Sequence, residues 1–123
     1  MAAGVPEARR RKLAAILAAD VAGYSRLVGT DEDGTLARLR ALFRGAVQPA
    51  VAAHRGRVFK LMGDAFLAEF PSEVDTVLCA AALQEAAEAR AAGEPEDRRI
   101  RLRVGVHLGG VVAEGGDLLG GTG

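Results

Sequence analysis

The chain predicts an α+β fold: an antiparallel sheet in βαββαβ order with its helices on one face, as in ferredoxin-like domains. Three observations carry this. Leu13 to Val21 is an unbroken apolar run bounded by Gly23, the pattern of a central strand. Two short strand segments flank Gly63-Asp64 as a hairpin, and Leu102, Val104, Val106 and Leu108 alternate with polar residues. Two helical stretches lie between these strands. With 123 residues, half of them apolar, there is material for one domain.

The elements follow in order. Residues 1–11 are small and charged and are expected to form a disordered basic leader; the domain proper takes residues 12–123. After the first strand a helix begins near Gly23. Asp31, Glu32 and Asp33 crowd the next helix start, where carboxylates suit the positive end of the dipole. Leu36, Leu39, Phe43, Val47 and Val51 then form one apolar stripe, Pro49 kinks or divides the helix, and Gly56 closes it. Arg57 to Met62 and Ala65 to Phe70 are the hairpin strands. Ser72 caps a helix from Glu73 to about Ala92, stopped by Gly93, with Val74, Val77, Leu78, Ala81 and Leu83 as its apolar side. In the last clear strand Arg101, Arg103 and His107 oppose the apolar set, and Gly109-Gly110 is expected to bend the chain.

Composition removes several function classes. Sixteen acidic and sixteen basic residues balance, so no net field draws nucleic acid. Aromatics make up 4 % and tryptophan is absent, which weakens any base-stacking platform. The run after Arg9-Arg10-Arg11-Lys12 ends at Asp20 without a cleavage region and is shorter than the roughly 20 residues that span a bilayer. A cytoplasmic location is the default. The single cysteine, Cys79, reads as a small core residue in a reducing compartment. His54 and His107 lack partners at metal-ligand spacing, and Arg98, Arg99, Arg101 and Arg103 read as a solvated strand entry. The terminal glycines are no P-loop, because no Gly-Lys-Ser/Thr follows them.

Two aspartates stand apart. Asp20 closes the first strand and Asp64 sits in the hairpin tip; if those strands are neighbours, the carboxylates converge. An acid at the end of a core strand costs free energy unless something charged meets it, and two such acids suggest a divalent cation. Each also has a plainer use, Asp20 as a helix cap and Asp64 as a turn residue.

The segments around them resemble the class III nucleotidyl cyclase catalytic domain of bacterial type. Leu13-Ala-Ala-Ile-Leu-Ala-Ala-Asp20-Val-Ala-Gly-Tyr-Ser-Arg-Leu27 is similar to that family's first metal segment. Lys60-Leu-Met-Gly-Asp64 is similar to its second, and Pro95 to Gly109 to the loop and strand that follow. The likeness runs from about Lys12 to Leu119 and implies the nucleotide cyclase fold. It further implies that Asp20, Asp64 and the Val21 carbonyl hold two Mg²⁺ or Mn²⁺ ions, and that ATP becomes 3′,5′-cyclic AMP and pyrophosphate. Backbone N–H groups of Ala22, Gly23, Tyr24 and Ser25 would receive phosphates. Lys60 and Asp117 would read adenine, favouring ATP over GTP, although a turn role for Asp117 stays open.

The family continues after this aspartate with an asparagine that orients the ribose and an arginine that stabilises the transition state. Here Gly120-Gly121-Thr122-Gly123 departs from that pattern and no counterpart follows. Family members pair head to tail, each site taking its metal aspartates from one chain and those two helpers from the other. The expectation is therefore a truncated cyclase domain, forming a homodimer or pairing with a full-length cyclase, with slight turnover. The alternative is a non-catalytic cyclase-like fragment that binds nucleotide and metal.

Overall fold

A computed structural model describes the backbone of residues 13–112 and 118–119 and the side chains of residues 15–108. The leader falls outside the described residues, as does Asp117. The chain runs β1 (Leu13–Val21), α1 (Tyr24–Thr30), α2 (Glu32–Leu42), a π-helical turn (Phe43–Val47) and α3 (Gln48–Ala53). The hairpin β2 (Arg57–Met62) and β3 (Ala65–Phe70) leads to α4 (Glu73–Ala92), a 3₁₀ turn (Glu96–Arg98), β4 (Leu102–Val112) and β5 (Leu118–Leu119). The strands form one antiparallel sheet in the order β2-β3-β1-β4-β5, the expected ferredoxin-like α+β arrangement.

β1 is central because its residues are apolar on both faces. Leu17, Ala19 and Val21 turn toward the helices and join Phe66, Ala68, Phe70, Val47, Val51, Cys79 and Leu83 in the main core. Ile16 turns the other way and packs with Phe59 and Leu67 in a small cluster on the open face. Strands with one apolar face bury it against helices; β1, paired on both sides, has both faces covered at this point.

Local chemistry explains the ends of the elements. Asp31 accepts a hydrogen bond from the Gly34 N–H at the start of α2, with Glu32 and Asp33 in its first turn. Ser72 accepts from the Asp75 N–H at 3.1 Å at the start of α4. We expect Ser72→Ala to destabilise the domain by about 1 kcal/mol in urea melts, since that N–H loses its cap; an unchanged midpoint would show that the cap contributes nothing.

Two sequence expectations are corrected, on Pro49 and on the face of α4, and two are sharpened, at Gly56 and Gly109-Gly110. The long helix is divided, but by the π-helical turn at Phe43–Val47, with Pro49 seated in the first turn of α3, where its missing N–H is harmless. Gly56 follows the helix, yet the left-handed residue there is Arg55 (φ 64°); Gly56 is needed because a Cβ would run into the Phe70 ring. In α4 the sheet-facing residues are Thr76, Cys79, Leu83, Ala87 and Ala91, while Val74, Val77 and Leu78 are exposed. Small side chains let the helix lie close on the sheet, and that closeness outweighs the larger apolar positions. The bend expected at Gly109-Gly110 takes the form of a bulge: the register slips by one residue opposite Ala14/Ala15 within a continuous β4.

Cys79 is fully buried and burial pushes its thiol up to about 11. His54 Nδ1 lies 2.8 Å from the Ala50 carbonyl at the end of α3, the helix-end role expected of it.

Candidate metal and nucleotide site

Asp20 is the penultimate residue of β1 and Asp64 follows Gly63 at the hairpin tip. Each lies near a glycine in left-handed conformation, Gly23 (φ 65°) turning the chain into α1 and Gly63 (φ 60°) closing the hairpin. Because β3 pairs with β1, the hairpin tip is carried to the exit of β1. There the Asp64 Oδ2 accepts a hydrogen bond of 3.1 Å from the Val21 N–H. Asp64 is thus tied to the backbone of the residue next to Asp20.

Asp20 has its own partner. It stands opposite Arg103 in the β1–β4 register, and the guanidinium grips the carboxylate with Nε–Oδ1 at 2.8 Å and Nη2–Oδ2 at 3.1 Å. Those hydrogen bonds hold the Asp20 carboxyl below the usual carboxylate range, outweighing the opposing effect of desolvation. A depressed value means the pair is intact above the ordinary range and is lost only as pH falls through the lowered one. Arg103 is raised in turn, chiefly by Asp20, with the charge of Asp64 adding to it.

Sequence reasoning missed Arg103 by assigning it to a solvated strand entry. Its alternation with Leu102 and Val104 did mark the face opposite the core. Only the β1–β4 register, a long-range property, put Asp20 beside it.

The remaining candidates divide. Lys60 is exposed and lies on the open face, in one cross-strand row with Leu67, Ala18 and Gly105. With β3 between them, Lys60 is two strands, roughly 10 Å, from the strand of Asp20, so it shares the face without joining the two aspartates. Gly23, Tyr24 and Ser25 form the start of α1, with Tyr24 packed against the core. The expectation for Ala22 fails: its N–H is already donated to the Arg101 carbonyl at 2.9 Å and is not free for a phosphate.

The surface offers room. A depression of about 400 Å³ on the open face is lined by Asp20, Arg103, Met62, Leu67 and Gly105. On the helix side of the hairpin a cavity of about 380 Å³ opens beside Asp64, between Leu39, Phe43, Leu61 and Phe66.

The donor set suits a hard divalent cation. Two carboxylates and the Val21 carbonyl are all oxygen, and no cluster of three or more His, Cys, Asp or Glu occurs among the described residues. Mg²⁺ and Mn²⁺ accept such open sets, filling their remaining positions with water and phosphate oxygens. Among the described residues no helix is long and apolar enough to cross a membrane.

The fold is that of an adenylate/guanylate cyclase-like domain, and comparison with known proteins sets the chain beside class III catalytic domains. The solved adenylate/guanylate cyclase/hydrolase of Silicibacter pomeroyi is 38 % identical and superposes with a TM-score of 0.80, over 90 % of this chain and 64 % of that one. A Rhizobium meliloti (strain 1021) protein named "Putative adenylate cyclase 3" is 54 % identical over 114 residues, 93 % of this chain and 19 % of that protein. The serine/threonine-protein kinase pkn2 of Myxococcus xanthus is 30 % identical over 105 residues, 85 % of this chain and 13 % of that protein. The chain thus spans less than a fifth of each of these two curated relatives. No protein-family model matches it.

Proposed function

We propose that this domain is the metal-binding half of an adenylate cyclase site, converting ATP to 3′,5′-cyclic AMP and pyrophosphate at an interface with a second cyclase chain. The observation that carries the reading is the Val21–Asp64 hydrogen bond, which sets the second carboxylate against the end of the strand that bears the first. Asp20, Asp64 and the Val21 carbonyl would hold the two divalent ions. Bound there, the ions supply acidification of the ribose 3′-hydroxyl and neutralisation of the triphosphate.

The chain's own residues do the rest. The Val21–Asp64 bond holds the carboxylate in place before substrate arrives, so no reorganisation is needed on binding. The N–H groups of Gly23, Tyr24 and Ser25, at the start of α1, would meet phosphate oxygens. Lys60, on the open face, would reach the adenine of an interface site, with Asp117 as its companion. A head-to-tail homodimer or a pair with a full-length cyclase would complete the site.

The test is calorimetric titration of ATP into the purified chain, with cyclic AMP measured in parallel. The expected result is ATP binding that requires Mn²⁺ and is lost in Asp20→Asn and Asp64→Asn. Binding that ignores Mn²⁺ and both substitutions would overturn the proposal. Metal-dependent binding without cyclic AMP would support instead the non-catalytic reading, a nucleotide-binding module that acts through a partner cyclase.

A further inference from the structure

We infer that Arg103 is a built-in competitor of the divalent cation: it holds the Asp20 carboxylate and must leave before a cation can bind there. The inference rests on the metal reading of Asp20 and Asp64 and concerns what controls occupancy of that site.

Three features of the pair argue for it. First, the contact is two-pronged, with Nε on Oδ1 and Nη2 on Oδ2, so both oxygens of Asp20 are engaged by one rigid fork. A cation approaching either oxygen meets a fixed positive charge within a few ångströms, and like charges at that range repel strongly even near a surface. Second, the pair is set by the backbone. Asp20 and Arg103 are direct cross-strand neighbours between β1 and β4, which share the longest register in the sheet, so the guanidinium stays close whenever the sheet is intact. Third, the fork can let go. The Arg103 side chain is 67 % exposed and Asp20 38 %, and the depression above them has room for the displaced group. A buried pair would resist release; an exposed one is free to exchange.

Asp64 does not share this arrangement. Its hydrogen-bond partner is the Val21 N–H, a neutral donor that engages one oxygen, Oδ2. The two carboxylates are therefore unequal: Asp64 is held by a neutral donor, whereas both oxygens of Asp20 are occupied until Arg103 moves. Cation binding would proceed in that order.

Mn²⁺ binding to the 123-residue chain without nucleotide, followed by electron paramagnetic resonance of the free ion, tests the inference. Arg103→Met, which keeps length and drops the fork, should bind Mn²⁺ about three- to ten-fold tighter than wild type, the range expected from losing one exposed two-pronged pair. Arg103→Lys should fall between the two. Arg101→Met removes a charge from the residue that precedes β4 without touching Asp20 and should leave affinity unchanged.

The Arg103 Nε–H resonance reads the release directly and should shift when Mg²⁺ saturates the chain. An Arg103→Met affinity equal to or below wild type overturns the inference, as does equal tightening in Arg101→Met or an Nε–H signal that ignores Mg²⁺. If wild-type binding is lost in Asp20→Asn yet indifferent to Arg103, only this inference fails. If neither wild type nor Arg103→Met binds Mn²⁺, the metal reading fails and this inference with it.

Discussion

Asp64→Asn is expected to lower Mn²⁺ affinity by at least about 100-fold while leaving the thermal midpoint almost unchanged. The two effects separate because Asp64 has two roles. Its Oδ2 accepts the Val21 N–H, and the asparagine amide oxygen can do the same. Its charge is what a cation needs, and the amide has none. Substitution of groups that merely orient a metal ligand typically costs 10- to 100-fold in affinity, so loss of a ligating carboxylate should exceed that range. Asp64→Ala removes both roles. The partly buried Val21 N–H then has no acceptor, which should cost about 1–3 kcal/mol in addition to the metal. Calorimetric Mn²⁺ titration and a thermal melt on the two variants check this. Equal destabilisation in Asn and Ala would show that the charge, and not the hydrogen bond, holds the hairpin to β1. Mn²⁺ affinity retained in Asp64→Asn would remove Asp64 from the metal site.

Much of this arrangement was legible in the chain, and the divide between what was and was not is physical. The bounds of β1, β2, β3 and α4 follow from local chemistry: an apolar run ending at an acid, Gly63-Asp64 between two strands, Ser72 before a helix and Gly93 after it. That the hairpin tip with Asp64 lies at the exit of β1 could be anticipated because only one neighbour relation, β1 beside the hairpin, was required. The face of α4 was misread because an alanine-rich helix offers little apolar contrast; which side packs depends on how closely Thr76, Cys79 and Ala87 let it approach the sheet. Arg103 was misread for a related reason. Period-two alternation marks its face of the strand, but pairing with Asp20 depends on the β1–β4 register, and that register passes through a bulge at Gly109 that the sequence showed only as a pair of glycines. Ala22 was misjudged because its N–H is satisfied by the Arg101 carbonyl, eighty residues away in the chain by rough count, on the strand entry that follows α4. Local signals thus placed the acids, and long-range pairing decided what they touch.

Leu17→Ala is expected to be among the most destabilising single substitutions in the domain, at about 3–5 kcal/mol. Leu17 is fully buried at the centre of β1, between Ala68 of β3 and Val106 of β4, and packs in the core with Val47, Cys79 and Leu83. Its strand neighbour is an alanine on one side, so little can move in to fill the space. The loss therefore includes both the transfer of the missing methyl and methylene groups and the contacts their neighbours give up. Domains of this size are stable by about 5–15 kcal/mol, so the variant should lose a large share of its margin and melt on the order of 10–20 °C lower. The consequence reaches the site, because β1 carries Asp20 and pairs with both the strand that brings Asp64 and the strand that brings Arg103. Near the lowered midpoint, Mn²⁺ binding should fail together with the far-ultraviolet signal, in one transition. Lys60→Ala, an exposed change on an edge strand of the same sheet, should shift the midpoint by no more than about 0.5 kcal/mol. A Leu17→Ala chain that melts like wild type would show that the core has repacked around the vacancy. Loss of Mn²⁺ binding well below the melting transition would show that the two aspartates are held by something other than β1.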